Sequence, residues 1–240
     1  MIEHQLDITT PDGEMPTFIV HPEEGGPHPV ILFQMDAPGM REELHNMCRR
    51  LATAGYYVMA PMFYYRDVRS FNLFETGDRD RMFELMGNVG NTRASADAGS
   101  CFAHADADPA ADASRVGTVG YCMSGPFTIA IAADYPDRVK SAASIHGVAL
   151  VTDAADSPHL RLPEITGEIY VGCAEHDSYA PPEMIEAFEK SMAEAGTKGR
   201  VEWYPGTEHG FAFAERPVYV RDASERHWER VQGLFDRTLR

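Results

Sequence analysis

Basic residues are scarce in this sequence: 21 Lys and Arg stand against 37 Asp and Glu, a formal charge of −16 over 240 residues. A surface biased in this way repels phosphate backbones and anionic membranes, so nucleic acid is not an expected partner. Long apolar runs are missing too, and none approaches the length needed to span a bilayer. The first residues, Met1-Ile2-Glu3-His4-Gln5, form neither a basic nor an apolar leader region. Paired cysteines are absent as well. The four thiols, at positions 48, 101, 122 and 173, have no C-x-x-C spacing and no His-rich companion segment, which gives no zinc signature and no dense disulfide framework. These absences predict a cytoplasmic protein with reduced thiols, no membrane association and no structural metal. No repeat, linker or change of composition divides the chain. With 44% apolar residues it is too hydrophobic for disorder, and 1–240 reads as one α/β domain.

What is present is an alternation of strand and helix signals. Ile2 to Thr9, the turn Pro11-Asp12-Gly13 and Thr17 to Val20 read as an antiparallel hairpin. Val30 to Met35 is a short apolar run suited to a strand buried on both faces. Asp36-Ala37-Pro38-Gly39 opens a helix that runs through about Ala54 and is ended by Gly55, and Tyr56 to Ala60 is the next strand. Tyr64 to Glu75 is polar, aromatic and irregular. From Arg79 to His104 the pattern is helical, with an interruption near Gly87 to Asn91. Strands at 116–121, 141–146, 168–172 and 201–204 then alternate with helices at 124–135, 182–195 and from about Val218 to Arg240. Such repetition predicts a mostly parallel sheet flanked by helices, with no large cap domain.

The segment Val116-Gly117-Thr118-Val119-Gly120-Tyr121-Cys122-Met123-Ser124-Gly125-Pro126 runs from strand through small residues into helix with a thiol at its apex. That is the shape of a nucleophile elbow, in which a strained turn exposes the reactive atom and the flanking positions must be small. Cys122 is the candidate nucleophile. Ser124 lies two residues past the apex, where a hydroxyl is better placed to cap or pack.

A thiol nucleophile needs a base, and the base needs an acid to orient it. In an open parallel sheet both belong beyond the C-terminal ends of later strands. Asp177 follows the strand ending at Gly172-Cys173-Ala174, and His209 follows the strand ending at Tyr204. The order nucleophile, carboxylate, histidine is the order used by α/β-hydrolases. Glu175 is the alternative acid. An oxyanion hole calls for two backbone N–H groups, expected from Met123, after the nucleophile, and Ala37, after the third strand; Pro38 has none to give.

On these residues the sequence resembles the dienelactone hydrolase family of α/β-hydrolases over nearly its whole length. The similarity rests on Gln34-Met35-Asp36-Ala37-Pro38-Gly39, the cysteine elbow, the Asp177 loop and His209-Gly210-Phe211. It implies a cap-less hydrolase that cleaves a lactone or activated ester with a Cys-His-Asp triad and no cofactor, its partner being that small molecule. It also implies that Asp36, in place of the family's glutamate, pairs with the thiol and helps activate it; a carboxylate at a helix start is the other reading of Asp36. The family's prototype holds its substrate carboxylate with arginines. Arg81 falls in the corresponding helical region, but Phe213 stands where the second arginine is expected, which predicts a less acidic, more apolar substrate. Phe63, Tyr64, Tyr65, Phe211 and Phe213 are candidates to line its pocket.

Two other readings compete. In a glutamine-amidotransferase-like site, His227 and Glu229 would complete the cysteine centre. The chain could instead be a non-catalytic α/β-hydrolase scaffold that binds a small ligand, since fold alone does not make an enzyme.

Overall fold

A computed structural model describes residues 1–240. The first strands, β1 (Ile2–Thr10) and β2 (Gly13–His21), form the expected antiparallel hairpin, with Thr10 opposite Gly13 at the turn. β3 (His28–Gln34) and β4 (Tyr57–Pro61) flank α1 (Glu42–Thr53), which buries the stripe Leu44, Met47, Cys48 and Leu51. The irregular region passes through turns into α2 (Leu73–Thr76). The helical stretch beyond it divides, at the predicted interruption, into α3 (Arg79–Gly87) and α4 (Gly90–Ala107). β5 (Ala111–Tyr121) begins five residues earlier than its apolar run suggests, because its polar start pairs with His28 and Pro29 across a register shift. After α5 (Gly125–Asp134) come β6 (Val139–Ile145), α6 (Pro158–Arg161), β7 (Glu168–His176), α7 (Pro182–Ala195), β8 (Gly199–Glu208) and α8 (Arg221–Leu239).

All eight strands join one sheet in the order β1-β2-β4-β3-β5-β6-β7-β8, antiparallel across β1, β2 and β4 and parallel from β4 to β8. This is the mostly parallel, helix-flanked sheet expected, and no large cap domain covers it. Every residue of β3 and β4 is buried, which is why both read as unbroken apolar runs rather than alternating ones.

The strand order has a chemical consequence. From β3 the chain steps outward to β4, then returns to place β5 on the other side of β3. Connections leaving β3 and β5 therefore diverge, opening a crevice at the carboxyl ends of the two strands. Gln34 is in register with Gly120, so the Asp36-Ala37 loop and Cys122 emerge at the same edge. Behind them, Gly117 leaves room for Phe235 of α8, whose ring would lie 2.8 Å from an added Cβ.

Candidate active site

Cys122 has a left-handed φ of 57°, a conformation that costs a non-glycine residue about 1–3 kcal/mol and persists only where the surroundings enforce it. The enforcement is visible. Ser124 Oγ accepts the Tyr121 N–H at 3.0 Å and lies 3.1 Å from the Gln34 and Tyr121 carbonyls, to either of which it can donate, and the Cys122 carbonyl accepts the Val148 N–H at 3.2 Å. A Cβ at Gly120 would sit 2.4 Å from the Ser124 carbonyl oxygen, and one at Gly125 would sit 2.4 Å from Gly147 Cα. The small residues are thus demanded by close backbone approach, and fully buried Ser124 holds the turn together.

Asp177 and His209 leave adjacent strands, β7 and β8, whose pairing reaches His176 opposite Glu208. One Asp177 oxygen accepts from His209 Nδ1 at 2.7 Å; the other accepts the N–H groups of Tyr179 and Ala180 at 2.9 and 3.1 Å. With Nδ1 donating, Nε2 is left as the ring's free acceptor, and this buried atom has no hydrogen-bond partner. Burial pushes the His209 imidazolium down, but the bond to Asp177 and the neighbouring Cys122 sulfur outweigh it and raise the pKa to about 9. Glu175, by contrast, accepts from the Gly206 N–H and faces His176.

Asp36 departs from both readings of it. The carboxylate is fully buried, and its oxygens are taken by Arg41 at 2.5 and 3.2 Å and by Arg216 at 2.5 Å, so its hydrogen-bond partners are two guanidiniums and not the thiol. Nor does it start a helix, since α1 begins only at Glu42. Arg41 is further paired with Glu215. Arg216 lies seven residues past His209 on a loop of successive turns, so a search at fixed spacing passes over it.

Arg81 points elsewhere, pairing with Glu84 at 2.6 Å outside the cleft. Phe213 is fully buried beneath the arginines, with the Arg216 and Arg41 guanidiniums 4.8 and 5.1 Å above its ring and Tyr121 packed beside it. The position thus supports a cation without replacing one. Phe63, Tyr64, Tyr65 and Phe211 are likewise buried and line no part of the cleft.

The cleft itself, about 590 Å³, contains Cys122 and His209 together with Ala37, Arg79, Arg216 and a largely apolar wall that includes Phe74, Met82, Phe83, Met86, Tyr179 and Met184. The Ala37 N–H donates to no protein acceptor, while its carbonyl accepts from Tyr64 Oη at 2.9 Å. The same hydroxyl lies 3.3 Å from Met123 Sδ, so Tyr64 ties together the two segments expected to supply the oxyanion hole. His146, unremarked in the sequence, follows β6 and packs edge-on against His209 with ring centroids 4.8 Å apart. It is fully buried with both ring nitrogens unpartnered, and burial together with His209 pushes its pKa well below the usual histidine range. No group of three or more His, Cys, Asp or Glu side chains converges as a metal-ligand set would.

The amidotransferase reading does not fit this arrangement. His227 is buried in α8 with both nitrogens engaged, at 3.0 Å to Tyr121 Oη and 2.6 Å to the Ser224 carbonyl, and Glu229 pairs with Arg230 on the surface.

Comparison with known proteins places this geometry in context. A protein of Methylorubrum extorquens named "Putative carboxymethylenebutenolidase" is 28% identical over 98% of this chain and 81% of its own length. The carboxymethylenebutenolidase of Pseudomonas putida is 25% identical over 93% of this chain and 92% of its own. A crystal structure from Klebsiella pneumoniae, described as a "Putative Dienelactone Hydrolase", shares the fold with a TM-score of 0.89, covering 98% of each chain at 24% identity. The sequence model of the dienelactone hydrolase family matches residues 15–239, and the chain belongs to that family of carboxylic ester hydrolases.

Proposed function

We propose that this protein hydrolyses a lactone or activated carboxylic ester through an acyl-thioester on Cys122, with His209 as acid–base and Asp177 as its orienting carboxylate. The observation that carries the reading is the unpartnered His209 Nε2, anchored through Nδ1 to Asp177 and sharing a cleft with the strained Cys122. His209 takes the thiol proton and the sulfur attacks the ester carbonyl carbon. The resulting oxyanion is received by the N–H groups of Ala37 and Met123. Collapse breaks the ester C–O bond, and the leaving alkoxide takes the proton from His209. Water, deprotonated by His209, then attacks the thioester, releasing the acid and restoring the thiol.

The electrostatics suit both halves of this cycle. Part of what raises the His209 pKa is the Cys122 sulfur, so acylation of that sulfur lowers the imidazole's hold on a proton.

Incubation with p-nitrophenyl acetate followed by rapid acid quench and intact-mass measurement tests the reading. An adduct of one acetyl group on the native protein, absent from Cys122→Ala together with turnover, is the expected result. Near-normal turnover by Cys122→Ala would overturn it.

A further inference from the structure

Three of the five large apolar side chains left exposed on this molecule, Phe74, Phe83 and Tyr179, line the cleft that holds Cys122 and His209. Single exposed apolar residues need no explanation, but convergence at one mouth does. Each is at least half exposed, and they come from three separate segments: α2, α3 and the loop after β7. Two are also tied to the catalytic apparatus. The Phe74 ring faces the Arg41 and Arg216 guanidiniums at 5.2 and 5.9 Å. The Tyr179 ring lies 5.0 Å from that of His209, and its N–H donates to Asp177. Deeper in the cleft, Met82, Met86 and Met184 add flexible thioethers, side chains that mould to varied apolar shapes.

Two cations also line the cleft. Arg216 Nη2 pairs with Asp36, a carboxylate it shares with Arg41, while its buried Nε has no partner. Arg79 is exposed at the rim.

Building on the hydrolase reading, we infer that the cleft selects an ester with an extended apolar acyl or aryl group, packed along Met82, Met86 and Met184 and covered by Phe74, Phe83 and Tyr179. A small lactone would leave this wall unused.

The test is kcat/KM for the p-nitrophenyl esters of acetate, butyrate and hexanoate. Values for the native protein should rise about threefold per methylene to hexanoate. Phe83→Ser and Met184→Ser should each lower the hexanoate-to-acetate ratio about fivefold, a ratio taken within one preparation and so independent of the fraction folded. A flat or falling series, or unchanged ratios in both variants, would overturn the inference even while Cys122-dependent acetate hydrolysis persists. Absence of turnover on every ester would instead overturn the hydrolase reading, and the inference with it.

Discussion

Arg216 Nη2 stands 2.5 Å from Asp36 Oδ2, joining the loop that follows His209 to the loop that carries Ala37. The contact binds two segments 180 residues apart in sequence, and neither side chain is more than 15% exposed. It makes the carboxylate a structural centre, with Arg41 on its other side.

Asp36→Asn should therefore be strongly destabilising, because it leaves two buried guanidiniums facing a neutral amide. Removing one partner of a buried pair costs about 3–5 kcal/mol. Denaturant unfolding should show a loss of that size, with a smaller one for Arg216→Met, since Arg41 still neutralises Asp36. Equal stability of Asp36→Asn and the native protein would show that the network holds nothing.

The raised pKa of His209 gives stability a pH signature. A histidine whose folded pKa exceeds its ordinary value of about 6.5 contributes stability that is fully present below that value and is lost as pH rises through the folded pKa, here about 9. The Tm advantage of the native protein over His209→Gln, which cannot titrate, should thus be greatest below pH 6.5 and shrink steadily towards pH 9. A constant difference across this range would contradict the assignment.

Of the two candidate acids, Asp177 and Glu175, only Asp177 bonds to His209. In a serine triad, loss of the orienting acid costs on the order of 10⁴ in turnover, and a thiolate, being a stronger nucleophile, should lose less. Steady-state kinetics should show Asp177→Asn reduced by about 10²-fold or more and Glu175→Gln within about threefold of native. The reverse ranking would transfer the role to Glu175.

Tyr64 offers a test of the oxyanion segments. Its hydroxyl bonds to the Ala37 carbonyl, orienting the peptide that precedes Pro38, while the ring is buried. Tyr64→Phe leaves that carbonyl short of a donor, at about 1 kcal/mol in stability. It should lower kcat several-fold with little change in KM, because a misaligned oxyanion donor is felt in the transition state. A change confined to KM would place Tyr64 in substrate binding instead.

The elbow, the Asp177 loop and the His209 loop were legible because each is announced locally: an apolar strand, a break of small or polar residues, then a helix or turn. The sheet was legible for the same reason, since burial on both faces leaves continuous apolar runs at β3, β4 and β5. Arg216 and His146 carry no such announcement. Arg216 reaches Asp36 by a series of turns whose length no periodicity encodes, and counting from the histidine led to Phe213, the ring on which the arginine rests. His146 reads as the end of a strand, and only the packing of β6 beside β5 and β7 brings it under His209. The cleft wall escaped notice because aromatic residues inside the core outnumber those at its mouth, and composition does not separate them.

Tyr121 immediately precedes Cys122, yet its hydroxyl bonds to His227 Nε2 of α8, whose first residue, Arg221, is translated a hundred residues later. Phe235 of that helix also fills the space over Gly117 in the elbow strand. A nascent chain stalled before Arg221 would contain Cys122, Asp177 and His209 but lack the buttress behind the turn. Such ribosome-bound chains should react with a fluorogenic ester only after residues 221–239 have cleared the exit tunnel, so that the thiol is armed on completion of folding and not before.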